Sequence, residues 1–160
     1  SSWILMNESN IKKDVNTAQN DWANFIIRIS NAFHKNKNYL KIANELLDSL
    51  YCFNNDTIMF KPTMPGIKPF RYSRKEVLSY FIGGDDTLPY DKGFALKPWK
   101  KITFSNSNIY TRDKTIFTMG MYAFEDLNNT ILDVEYTFVY VSDKDEKLKI
   151  ILHHSSVPYR

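Results

Sequence analysis

The chain has 160 residues, which fits one domain with a sizeable core. Hydrophobic residues at 43% and charged residues at 24% are globular proportions, and a net charge of +3 with no long run of like charge excludes a nucleic-acid arm. The single cysteine, Cys52, excludes an intrachain disulfide and a four-cysteine or Cys/His zinc site, and no apolar stretch approaches the roughly 20 residues needed to cross a bilayer.

Residues 1–16 read as an N-terminal extension of a single domain spanning 1–160, and Ser1 to Met6 are too few for a signal-peptide core. From about Thr17 to Leu50 the pattern is helical. Trp22, Phe25, Ile26, Ile29 and Phe33 form one apolar stripe. A polar interruption, His34 to Asn38, breaks it, and Leu40, Ala43, Leu46, Leu47 and Leu50 resume the period. His34 in that interruption reads as a solvated side chain. Thr57 to Phe60 looks like a short strand, followed by a proline-bracketed loop from Lys61 to Gly66. Ser73 and Glu76 have the spacing of a capping box, and the helix they open stops at Gly83-Gly84.

Beyond Trp99 the period becomes two. Residues 101–110, 115–124, 131–141 and 148–155 read as strands, joined by segments with hairpin-turn chemistry. Helices first and an antiparallel meander afterwards give an α+β fold, a curved sheet wrapped as a cone on the N-terminal helices. An aromatic content of 15% suits a deep core or pocket. The uncovered sheet face, with Ile109, Phe117, Phe138 and Tyr140 near it, is expected to carry a homodimer interface.

In the last strand Leu148, Ile150, Leu152, His154 and Ser156 share one face; Lys147, Lys149, Ile151, His153 and Ser155 share the other. The first row is apolar and ends in an imidazole and a hydroxyl, as the floor of a pocket would. His154 and Ser156 are therefore expected inside the cone and His153 outside. A β-bulge would reverse that assignment, and a core strand ending in a polar tail is the plainer alternative. Other polar candidates for the interior are Thr63, Tyr80, Tyr122 and Tyr136. Each has an ordinary reading, Thr63 as a turn residue and the tyrosines as amphipathic core. Strand alternation separates His153 from His154, which argues against a three-histidine metal site. Asp133 and Glu135 share a strand face and leave a manganese site open.

Five segments recur together in one known family: Phe60-Lys61-Pro62-Thr63, Val77 to Gly84, Asp91 to Trp99, Val134 to Phe138, and His153 to Tyr159. The chain resembles the iota-class carbonic anhydrases over roughly residues 20–160. The resemblance implies the cone fold of nuclear transport factor 2, homodimerisation through the sheet, and reversible hydration of carbon dioxide to bicarbonate. It also implies a site of Thr63, Tyr80, His154 and Ser156, with His153, Tyr136 and Tyr122 behind it. Substrate contact would fall to Thr63, Tyr80 and Ser156, and proton transfer to His154. Members have been described both as metal-free and as manganese-using, so the expectation is no cofactor, with manganese as the alternative. Some algal chains of the family carry several domain copies, which leaves room for a longer precursor. The compartment expected is the plastid, with bacterial periplasm or cytoplasm as rivals. A catalytically silent binding or oligomerisation module of the same fold is the reading from another functional class. No nucleic-acid or membrane partner is expected.

Overall fold

A 27-residue helix, α1 (Glu8–His34), forms the axis around which the rest of the chain is built. The computed structural model describes residues 8–53 and 57–160. Ile11, Val15, Ala18, Trp22, Ile26 and Ile29 are buried along one side of α1. The stripe thus begins well before Thr17, and residues 8–16 belong to the helix rather than to an extension. Asn36, in the left-handed region at φ 55°, turns the chain, and the Asn38 side chain accepts the Lys41 N–H to start α2 (Tyr39–Leu50). His34 is exposed, as expected, and its Nε2 lies 2.8 Å from the Leu96 carbonyl.

Strand β1 (Met59–Lys61) is short and is followed by the loop carrying Thr63. Helix α3 (Arg74–Ile82) has both halves of the Ser73–Glu76 capping box and ends at Gly83, whose φ of 65° suits a residue without a Cβ. A single 3₁₀ turn, Phe94–Leu96, then leads into the meander β2 (Trp99–Arg112), β3 (Thr115–Asp126), β4 (Ile131–Ser142) and β5 (Leu148–Ser156). The sheet order is β1-β5-β4-β3-β2. All pairs are antiparallel except β1 with β5, where Lys61 lies beside His154. The α+β cone read from the sequence is therefore present, and the short strand expected at Thr57 to Phe60 joins its sheet as a fifth, parallel edge strand.

The concave face carries Ile116, Tyr122, Phe124, Val134, Tyr136, Phe138 and Tyr140, all buried. Trp22 sits at the centre, with the rings of Phe104, Tyr122, Phe138 and His153 at centroid distances of 5.6–5.9 Å. Phe138 and Tyr140, expected near the outer face, are interior residues, and Ile109 packs partly buried against the core. The apolar residues actually exposed on the outer face include Phe117, Met119, Met121 and Tyr110.

Candidate active site

The phase of β5 decides which histidine faces the interior. Val139 pairs with Leu152 but Tyr140 pairs with Ile150, so Ile151 is an extra residue on β5. This bulge keeps Leu148 and Ile150 facing inward and then turns His153 and Ser155 inward as well. His153 is 3% exposed and Ser155 1%, whereas His154 is exposed. The expectation that His154 and Ser156 face the interior is thus reversed. They lie on the outer face with Glu135, Thr137, Met119 and Met121, around an open hollow of about 520 Å³.

The inward pair joins a chain of hydrogen bonds through the cone. The Trp22 indole N–H donates to the Tyr51 hydroxyl at 3.1 Å, and Tyr51 Oη lies 2.8 Å from His153 Nδ1. His153 Nε2 lies 3.0 Å from Tyr122 Oη and 3.1 Å from Ser155 Oγ, and those two hydroxyls bond each other. The Thr63 side chain stands near both the Tyr122 and Tyr80 phenols, close enough to offset part of the rise in their pKa. Tyr80 Oη accepts the Met64 N–H at 3.2 Å. Three residues named from the sequence, Thr63, Tyr80 and Tyr122, are therefore brought together. Tyr122, expected behind the site, is a central member. Tyr136 lies further along the face, donating to Asn106 Oδ1 at 2.5 Å and near Gln19.

The loop that carries Thr63 is fixed by Arg71, which is fully buried. All five of its N–H groups are used: on the Lys68, Glu76 and Pro65 carbonyls and, twice, on the Asp91 carboxylate at 2.7 and 2.8 Å. Ser79 Oγ also donates to Asp91 at 2.5 Å. The Arg71 guanidinium stands 5.8 Å from the Tyr80 ring centre. On the opposite wall, Lys61 Nζ donates to the Ser155 carbonyl and holds the end of β5.

Burial sets the protonation of the cluster. It pushes the His153 ring well below the ordinary histidine range, with His154 adding to the shift, so the ring is neutral at physiological pH. Burial raises the Tyr122 and Tyr80 phenols well above 10, with bonds from Ser155 and from the Met64 backbone offsetting part of the rise. Tyr136 is pushed up to about 12 by burial, partly offset by Gln19. Every phenol thus keeps its hydrogen and can donate. A hollow of about 350 Å³, lined by Phe33, Met64, Tyr80, Phe94, Leu96 and Lys97, opens on the far side of Tyr80.

No local pattern singles out Tyr51, which reads as the residue after an amphipathic helix. Its partners Trp22 and His153 are 29 and 102 residues away. Asp133 and Glu135 are both exposed on β4, outside the cone. Among the described residues, no three His, Cys, Asp or Glu side chains gather as a metal site.

A cone wrapped on a helix, whose central hydrogen-bonded cluster is made of hydroxyls and one neutral imidazole, defines an acid–base or hydration site in a nuclear-transport-factor-2-like fold. Residues 13–157 match the family of metal-independent carbonic anhydrases, and the chain belongs to that family. It is 35% identical over 159 residues to a metal-independent carbonic anhydrase of Nostoc sp., covering 97% of this chain and 77% of the relative. Its fold superposes at a TM-score of 0.90 and 33% identity on an iota-carbonic anhydrase from a cyanobacterium solved with bicarbonate, covering 97% and 94% of the two chains. More distant likenesses show the fold alone. They include a nuclear-transport-factor-2-like protein of Streptomyces avermitilis (TM-score 0.59, 14% identity, 96% and 100% covered). Another is a calcium/calmodulin-dependent kinase II association domain of Xanthomonas campestris (TM-score 0.55, 23% identity, 90% and 85% covered).

Proposed function

We propose that this chain hydrates carbon dioxide reversibly to bicarbonate at the Thr63, Tyr80, Tyr122, Ser155 and His153 cluster, without a metal. The observation that carries the reading is the placement of Ser155, Tyr122 and His153 in mutual hydrogen bonds at the bottom of an aromatic cone, in a chain of this family. Phe60, Phe81, Phe94 and Phe138 around the cluster suit an apolar substrate, and the hydroxyls suit its charged product.

In the forward direction a water oxygen bonds to the carbon while one C=O electron pair moves onto oxygen. The water loses a proton to solvent. Thr63 and Ser155 hydroxyls hold the water in line, and phenolic hydrogens meet the oxygen that gains charge. The neutral, fully hydrogen-bonded imidazole is not the proton acceptor that His154 was expected to be. The donor set does not fit manganese: hydroxyls and one imidazole engaged at both nitrogens offer no carboxylate, the ligand that hard divalent ions prefer. The exposed apolar residues of the outer sheet face support a second copy of the chain as the partner that covers them.

The test is stopped-flow hydration on chelator-treated protein with elemental analysis. Activity should survive chelation, and Ser155→Ala and Thr63→Ala should each lose about 10²–10³ in rate. Ser156→Ala should remain close to wild type. Activity that vanishes with chelator and returns with manganese would overturn the metal-free reading. A severe loss in Ser156→Ala beside an active Ser155→Ala would overturn the site.

A further inference from the structure

We propose that Trp22 and Tyr51 are positioning residues that hold the His153 ring in the tautomer with its hydrogen on Nε2, and so oblige the cluster to offer a hydroxyl hydrogen outward. An indole N–H donates and never accepts. Because Trp22 donates to Tyr51 Oη at 3.1 Å, the Tyr51 hydrogen must find another acceptor. His153 Nδ1, at 2.8 Å, is in place for it. Tyr51 is 2% exposed, so a hydrogen aimed elsewhere would be a buried donor without a partner. Nδ1 therefore accepts, and a neutral ring that accepts at Nδ1 carries its hydrogen on Nε2.

The hydrogens around Nε2 can then be counted. Nε2, Tyr122 Oη and Ser155 Oγ form a closed triangle of contacts. It holds three hydrogens: one on Nε2 and one on each hydroxyl. The Nε2 hydrogen points to an oxygen, and one hydroxyl hydrogen fills the contact between the two oxygens. Nε2 cannot accept the other. That hydrogen leaves the triangle, toward Thr63 and any oxygen bound beside it. In the opposite tautomer Nε2 would accept one hydroxyl hydrogen, the oxygen–oxygen contact would take the second, and none would remain. The indole of Trp22 thus fixes the sense of the whole chain of bonds as donating into the site. This is the sense needed by an oxygen becoming negative as bicarbonate forms. The effect on rate rests on the hydration reading above, but the tautomer does not.

The experiment is ¹⁵N NMR of imidazole-labelled protein, with His153 assigned by its loss in His153→Gln. The expected spectrum has a protonated Nε2 and an unprotonated Nδ1 throughout neutral pH. A ring protonated on Nδ1, or on both nitrogens, would overturn the assignment without need of any variant. Trp22→Phe frees the Tyr51 oxygen to accept and opens space beside it in which a water can take the Tyr51 hydrogen, so the Nδ1-protonated form should appear and kcat should fall by up to about 10² with little change in KM. A folded Trp22→Phe with wild-type spectrum and kcat would remove the role of the indole. Tyr51→Phe keeps the ring and deletes the hydrogen to Nδ1, and gives the same reading if Trp22→Phe does not fold. The expected tautomer in a protein that hydrates no carbon dioxide would uphold the positioning pair and remove the hydration reading alone.

Discussion

His153 is a histidine that the fold keeps from charging, and that has a measurable cost in acid. In the unfolded chain the ring binds a proton near pH 6.5, while burial holds it neutral in the folded chain well below that. The unfolded state therefore gains protons first, and stability is lost as pH falls below about 6.5. The slope from this one group is up to about 1.4 kcal/mol per pH unit until the folded ring itself titrates. His154, also lowered by burial, adds the same sign more weakly from its exposed position. Denaturant midpoints taken from pH 8 down to about 5.5 should fall in the wild type and flatten in His153→Gln. An equal slope in both would show that the ring charges freely in the folded protein. At this scale the sequence was half legible. Thr63, Tyr80 and Tyr122 could be named from chemistry and resemblance. Tyr51 could not, because its polar role exists only through contacts with a distant helix and strand.

The elements divide by how local their causes are. The Ser73–Glu76 capping box, the Gly83 stop and the turns between strands depend on a few adjacent residues, and they fall where the sequence puts them. The bulge at Ile151 depends on β4, since only the pairing with Val139 and Tyr140 shows an extra residue. Strict alternation therefore chose the wrong histidine. Deleting Ile151 should leave Ile150 and Leu152 as adjacent rungs opposite Tyr140 and Val139, with His153 still inward. The deletion variant should fold and retain hydration; loss of activity in a folded variant would show that the bulge itself shapes the site. The Arg71–Asp91 pair is a second element-scale device, joining the Thr63 loop to α3 and to the segment before the 3₁₀ turn. Asp91→Asn leaves the buried guanidinium without its counter-charge, and thermal or denaturant unfolding should report a loss of about 3–5 kcal/mol. A change under about 1 kcal/mol would mean that the carbonyl bonds alone hold the loop.

For the whole molecule, the order of helices and strands was legible, and the family follows from segments scattered along it. The short strand β1 was legible near Thr57 to Phe60, but its parallel pairing with β5 was not, because three residues carry no mark of a partner at the far end of the chain. Of the residues named for the outer sheet face only Phe117 stands there: Phe138 and Tyr140 went inside, Ile109 packs against the core, and Met119 and Met121 are exposed beside Phe117. A second copy covering that face would bury these three together with His154. Sedimentation at micromolar concentration should give twice the 18.8 kDa chain mass, and Met119→Asp with Met121→Asp should return it to one. A monomer in the wild type would leave the face without the partner proposed for it.

The repeated spelling His153-His154-Ser155-Ser156 has a consequence of its own. Whether the strand runs straight or bulged, an imidazole and a hydroxyl two residues apart arrive inside the cone. A slip of register thus swaps one such pair for an identical one, moved from opposite Phe138 to opposite Tyr136, two strand steps or about 6.6 Å. The letters of the pocket are protected against a frame error, and its depth is not. The bulge works as a vernier: leaving Ile151 out of the ladder sets how far down the cone the imidazole stands, at the level where Tyr51 and Tyr122 can grip it from both sides.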